Sequence, residues 1–159
     1  MKLTSIFSLL PENTAFAHCD IPCGIYDPHQ AQVAAHTIVR MTQMLGEIKR
    51  DDETRAEHDI ARITHVKEEH GHMVEEELGT LWNDYFKEEH FVKFQNLKEL
   101  LNKGTKLSVK TRQEIDMESA KELLETVMQI AEIFYKSKGL KSHRVKAPYP
   151  TGLEIVVQS

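Results

Sequence analysis

The segment that decides the fold class covers residues 27–48 and reads DPHQAQVAAHTIVRMTQMLGEI. Asp27 is a favoured N-cap residue and Pro28 a favoured first helical residue, so a helix is predicted to begin here. Apolar side chains then recur at spacings of three and four residues, which places them on one face of an α-helix. They are Ala34, Ile38, Met41, Leu45 and Ile48. The segment therefore predicts an amphipathic helix that buries one face against a neighbour.

Three further amphipathic patterns follow in residues 29–147, a stretch that contains no proline. Proline would break such helices, so its absence allows the whole stretch to be helical. The additional helices are predicted at about 53–82, 91–104 and 120–138, with Gly104 and Gly139 as stop signals. Four amphipathic helices with short connections predict an all-α fold, an antiparallel four-helix bundle over residues 29–139.

Length and composition support this class and exclude others. A chain of 159 residues favours one domain, and an apolar fraction of 40% is close to that of ordinary globular domains. No run of 18 or more apolar residues occurs, so no membrane-spanning helix is predicted. A net charge of −5 gives no electrostatic footprint for nucleic acid.

The two ends differ from the bundle. Residues 1–17 combine an apolar run at 3–10 with Ala15-Phe16-Ala17, which predicts a removable leader with a small-residue cleavage site. The mature chain would then begin at His18. Because the leader's apolar run is short, we expect a cytoplasmic protein, although export stays open. Residues 140–159 form a C-terminal extension whose segment 153–157 favours a β-strand.

Residues 18–28, between the leader and the first helix, read HCDIPCGIYDP. The thiolates of Cys19 and Cys23 can converge on one ion, and thiolates favour soft transition metals. If cleavage frees His18, its α-amine and the backbone nitrogen of Cys19 can join the two sulfurs in a plane. Two nitrogens and two sulfurs in a plane suit Ni(II) or Cu(II), with the His18 imidazole as an axial ligand. The segment predicts a redox-metal hook.

The spacing of the two cysteines is also compatible with other sites. A lone pair of cysteines separated by three residues could form a disulfide or half of a zinc site. Spacing alone does not separate these alternatives from a redox-metal hook.

The complete hook string closely resembles the N-terminal hook of the nickel superoxide dismutases, whose pattern is His-Cys-Asp-x-Pro-Cys-Gly-x-Tyr-Asp-Pro. A second segment, LWNDYFK at residues 81–87, is similar to that family's Trp-x-Asp-Tyr-Phe-Lys. The resemblance extends from residue 18 to about residue 138. It implies a nickel-dependent oxidoreductase that converts superoxide to dioxygen and hydrogen peroxide. It also implies a homohexamer of bundles and a maturation peptidase that cuts before His18.

The resemblance assigns roles to individual residues. His18, Cys19 and Cys23 correspond to the family's nickel ligands. Tyr26 and Tyr85 correspond to tyrosines that screen small anions at the open axial face. Asp20, Asp84 and Lys87 correspond to the surrounding hydrogen-bonding residues.

Two positions depart from the family pattern. Ala34 stands where family members carry a carboxylate that is hydrogen-bonded to the axial imidazole. His70 stands where alignment through Trp82 places an arginine. Because such partners orient and tune a metal-bound histidine, the support of the His18 imidazole is expected to differ in this chain.

The second predicted helix carries His58, His65 and His72, which share a face because they are seven residues apart. A buried di-iron site would require a Glu-x-x-His motif on two helices, and only one copy, at residues 69–72, occurs. We therefore expect a polar, solvent-exposed helix face.

Two other classes of function remain compatible with the sequence. The chain could be a non-catalytic nickel-binding module or metallochaperone, or a helical interaction protein whose cysteines are incidental. A free α-amine at His18 would separate these classes, because the proposed plane of ligands requires it.

Overall fold

The structure, a computed structural model, describes residues 23–159. These residues form helices α1 to α5, one π-helical turn and an antiparallel pair of strands, in chain order. The elements are α1 (His29–Gly46), α2 (Glu53–Thr80), the π-helical turn (Leu81–Tyr85), α3 (Glu88–Lys93), α4 (Leu97–Gln113), α5 (Met117–Ser137), β1 (Ser142–Lys146) and β2 (Glu154–Gln158).

Helices α1, α2, α4 and α5 form the predicted antiparallel four-helix bundle. Helix α1 packs on α2 and α5, and α4 packs on the other sides of the same two helices. The shared core is formed by apolar residues from all four helices, among them Ile38, Val74, Leu101, Leu123 and Ile130. Of the apolar residues predicted on the first helix, Ala34 and Ile38 are buried, Met41 and Leu45 are half-buried, and Ile48 lies just beyond the end of α1. No helix in residues 23–159 is long and apolar enough to cross a membrane.

The predicted end of the third bundle helix at Gly104 is wrong. Gly104 lies in the middle of α4, which continues to Gln113. A Cβ atom at Gly104 would lie 2.6 Å from the Cδ1 atom of Leu78 on α2. The glycine therefore serves the close approach of two helices and does not terminate one.

A buried lysine donates hydrogen bonds to the backbone carbonyls at the C-terminal end of α4. The Lys67 side chain on α2 is fully buried, and its Nζ donates hydrogen bonds to the backbone carbonyls of Thr111, Arg112 and Glu114. The last carbonyls of a helix have no partner within the helix, and a cation is favourable there. Burial lowers the pKa of Lys67. This ammonium group links α2 to the end of α4, together with the ion pairs of Arg112 with Glu68 and Glu75.

The C-terminal extension is a β-hairpin that packs on the bundle. The segment predicted to favour a strand, residues 153–157, overlaps β2 at all positions except Leu153. Strand β2 pairs with β1 in the register Arg144 to Val156. The buried Gln32 side chain of α1 bonds both backbone groups of Val156, at 3.1 and 2.8 Å. Arg144 donates to Glu125 and Glu132 of α5 at 2.7 to 2.9 Å. The hairpin is thus joined to both α1 and α5.

His36 provides a further contact between α1 and the hairpin. Its Nδ1 lies 2.9 Å from the Thr151 hydroxyl, its Nε2 lies 3.0 Å from the Glu154 carbonyl oxygen, and the Tyr149 ring meets it edge-on. Arg40 lines the same crevice. Burial lowers the pKa of His36 below its ordinary value of 6.5.

The buried His36 predicts a loss of stability in mild acid. As pH falls below about 6.5, the imidazole of the unfolded chain takes up a proton before that of the folded chain, so protonation favours unfolding. The free energy of unfolding is expected to decrease from pH 7.5 to pH 5, and His36→Gln should flatten this decrease. Urea unfolding at a series of pH values measures it.

A matched control is His143→Gln, since His143 is exposed on β1 of the same hairpin. That variant should retain the pH dependence of the unmodified chain. A decrease of the same size in His36→Gln would contradict the role assigned to His36.

Candidate metal centre

The candidate site lies at the end of the bundle where residues 23–28 meet the end of α2 and the end of α5. Cys23 is exposed and carries a free thiol, so its sulfur is available as a ligand. The other predicted hook residues, His18, Cys19 and Asp20, lie outside the described residues.

The chain turns between Cys23 and the start of α1. Gly24 has a φ angle of 74°, a backbone conformation that side chains other than glycine rarely adopt. The Asp27 carboxylate accepts a hydrogen bond from the backbone N–H of His29 at 2.7 Å, and α1 begins at His29. The helix thus begins one residue later than the sequence predicted, and Pro28 precedes its first turn.

The π-helical turn determines where Tyr85 lies. The backbone N–H of Phe86 donates to the carbonyl of Leu81 at 2.8 Å, a bond that spans five residues instead of four. The Tyr85 ring packs against Phe134 of α5, with centroids 4.7 Å apart, and its hydroxyl lies 2.6 Å from Ser137 Oγ. Tyr85 is therefore fixed between the end of α2 and the end of α5.

Tyr26 and Tyr85, singled out separately in the sequence, are in contact. Their ring centroids are 5.5 Å apart with the planes inclined by 51°, and both side chains are half-buried. Tyr85 also stacks on His90, with centroids 5.6 Å apart. Tyr26 belongs to residues 23–28, the base of the hook, and lies three residues after Cys23. The structure thus places a pair of phenols at the base of the hook.

Lys87 lies beside this pair on the exposed surface. Its Nζ donates to the backbone carbonyl of Asp84 at 2.8 Å, and its backbone N–H donates to Nδ1 of His90 at 2.9 Å. These bonds hold the chain between the π-helical turn and α3. The Lys87 ammonium group is therefore kept at the site end of the molecule.

Sequence reasoning missed Lys138. Its Nζ lies 4.6 Å from the centroid of the Phe134 ring, 5.4 Å from that of Tyr85 and 3.5 Å from the carbonyl oxygen of Tyr26. A lysine just before a helix-ending glycine is a common feature of helix C-termini, so the sequence alone gave no reason to prefer a functional role.

The structure shows the surroundings of Ala34 and His70, the two residues that depart from the family pattern. Ala34 is completely buried in the core. Nδ1 of His70 lies 2.8 Å from the carbonyl oxygen of Val66, one turn earlier on the same helix. Because a carbonyl oxygen only accepts, Nδ1 must carry the proton of this bond. In neutral His70, only Nε2 therefore remains as an acceptor.

The three evenly spaced histidines of α2 lie on an exposed face, as the sequence predicted. His58, His65 and His72 are 61%, 72% and 59% exposed and lie near the carboxylates of Asp59, Glu69 and Glu68 respectively. Within residues 23–159, no cluster of three or more His, Cys, Asp or Glu side chains is arranged to hold a metal ion.

This chain is similar to known proteins over most of its length. The sequence profile of the nickel-containing superoxide dismutases matches residues 13–138. Superoxide dismutase [Ni] of Streptomyces coelicolor is 33% identical over 128 residues, which cover 80% of this chain and 93% of the relative. The corresponding protein of Streptomyces seoulensis is 32% identical with the same coverage. The matched profile ends before the C-terminal hairpin.

Solved structures give the same result. A native nickel superoxide dismutase structure superposes with a TM-score of 0.68 at 31% identity, covering 76% of this chain and 99% of that one. The corresponding apo structure superposes with a TM-score of 0.66 at 28% identity. The extent of these matches and the profile over most of the chain show that this protein belongs to the family of nickel-containing superoxide dismutases, oxidoreductases whose metal is nickel.

Proposed function

We propose that this enzyme dismutates superoxide at a single nickel ion held by its processed N-terminus. His18 would contribute its α-amine and imidazole, Cys19 its backbone nitrogen and sulfur, and Cys23 a second sulfur. The exposed, free thiol of Cys23 fits this donor set. The observation that carries the proposal is the contact between Tyr26 and Tyr85 at the base of the same segment.

When bound, nickel supplies a one-electron Ni(II)/Ni(III) couple by which one superoxide is oxidised to dioxygen and another is reduced to peroxide. The protein supplies the donors, the access route and the proton-carrying groups. The reduced product takes up two protons to become hydrogen peroxide. The phenols of Tyr26 and Tyr85 are proton-bearing groups at the site. The Tyr85 hydroxyl is held by Ser137.

Access for an anion must overcome the net charge of −5. A local positive charge can raise the concentration of an anionic substrate even when the whole molecule is acidic. Lys87, held at the site end by its bond to the Asp84 carbonyl, supplies such a charge.

Asp20 would complete the hydrogen-bonding groups around the hook. Family membership supports a homohexamer and a peptidase that cuts before His18.

The most direct test is intact-mass analysis of the native protein together with its nickel content and activity. We expect a mass that begins at His18, one nickel per chain, and activity that is lost on nickel removal and restored by nickel alone. An active protein that retains residues 1–17 would contradict the proposed ligands, because the α-amine of His18 would be blocked. Nickel binding without turnover would instead indicate a nickel-binding module or metallochaperone.

A further inference from the structure

Lys138 lies where three parts of the molecule meet. Its Nζ is 3.5 Å from the Tyr26 carbonyl oxygen at the base of the hook, and it lies over the rings of Tyr85 and Phe134. These residues belong to the segment before α1, the π-helical turn and α5. One ammonium group thus contacts every element that builds the tyrosine pair.

The surroundings hold this ammonium in place although the side chain is exposed. Lys138 directly follows α5, where a positive charge interacts favourably with the helix dipole. Aromatic faces attract cations within about 6 Å, and two such faces lie under Nζ.

Lys138 forms no ion pair with a carboxylate of residues 23–159, whereas Lys103 is paired with Glu122 at 2.7 Å. The field of this exposed ammonium group reaches the solvent in front of the tyrosines.

We propose that Lys138 is a positioning residue for superoxide dismutation. Its hydrogen bond to the Tyr26 carbonyl oxygen ties the base of the hook to the end of α5, beside Tyr85. Its charge draws the anionic substrate towards the two tyrosines. This inference rests on the proposed nickel centre at residues 18–23.

The kinetic test compares Lys138→Met with Lys136→Met in the nickel-loaded enzyme. Both variants remove one positive charge from the same end of α5, but Lys136 lies over Phe94, away from the tyrosine pair. We expect kcat/KM of Lys138→Met to fall about three- to tenfold at low ionic strength, a difference that narrows as salt is added. Lys136→Met should lose little, and Lys138→Arg should retain most of the activity because it keeps the charge.

A second measurement needs no nickel. Hydrogen exchange of a peptide covering residues 23–28, followed by mass spectrometry on the nickel-free protein, reports how firmly the hook base is held. We expect exchange of this peptide to be several-fold faster in Lys138→Met, because the variant loses one hydrogen bond from a charged donor. Exchange should be unchanged in Lys136→Met.

The outcomes separate the two proposals. Equal kcat/KM in the two methionine variants, or equal exchange of the hook peptide, would overturn the role of Lys138 while leaving the nickel centre intact. Absence of nickel-dependent turnover in the unmodified protein would overturn the nickel centre, whereas the exchange measurement would still decide whether Lys138 ties down the hook.

Discussion

Cys23→Ser is expected to abolish nickel-dependent superoxide dismutation while the bundle stays folded. A serine hydroxyl is a far poorer ligand for a soft metal than a thiolate, and it does not favour the higher oxidation state. The loss should exceed the roughly 10- to 100-fold effect of removing an outer hydrogen-bonding partner of a metal site. Activity and bound nickel, measured on the same sample, test this expectation.

The fold should be insensitive to this change because Cys23 is exposed. Substitutions at such positions usually alter stability by less than about 0.5 kcal/mol, so the thermal midpoint should stay nearly constant. Ile25→Ser is the matched control, because Ile25 is 84% exposed and lies two residues further along the same segment. Nickel-dependent turnover in Cys23→Ser comparable to that of Ile25→Ser would refute the assignment of this sulfur.

Lys67→Met is expected to cause the largest loss of stability among these predictions. The substitution removes the Lys67 donor from three carbonyls at the end of α4. The carbonyl of Thr111 is buried, and those of Arg112 and Glu114, 3.3 and 2.9 Å from Nζ, are partly buried. Each such group costs about 1–3 kcal/mol, although removing a buried charge offsets part of the loss. We expect the free energy of unfolding to fall by about 3 kcal/mol in urea titrations.

The control for Lys67 is Lys103→Met. Lys103 forms a surface ion pair with Glu122, and such pairs contribute about 0 to 1 kcal/mol. If the two variants unfold at the same urea concentration, the carbonyls at the end of α4 are satisfied without Lys67.

The fold was largely predictable because the buried faces of the four bundle helices follow helical periodicity. The error at Gly104 has a specific cause. A glycine in a sequence can mark the end of a helix or a close contact between two helices, and only the position of Leu78 opposite it distinguishes the two. Such a contact joins residues that are 26 positions apart, which periodicity within one segment does not reveal.

The site was predictable only in part. The hook string and the second motif pointed to Tyr26 and Tyr85 as site residues. The contact between the two rings depends on how α2 ends, and no local pattern in the sequence indicated a π-helical turn. Lys138 was missed for a related reason. The hydrogen bond from Lys138 to Tyr26 joins residues 112 positions apart, and it forms only because the start of α1 meets the end of α5.

The π-helical turn makes the tyrosine contact depend on residue number as well as residue identity. Each residue advances an α-helix by about 100° around its axis. The turn at Leu81–Tyr85, closed by the bond from Phe86 to Leu81, accommodates one residue more than a regular turn. Winding the same five residues as a regular α-helix would carry Tyr85 further around the axis and rotate it away from Tyr26. The contact between the two phenols therefore depends on the wide turn, which adjusts the angle at which Tyr85 leaves the helix.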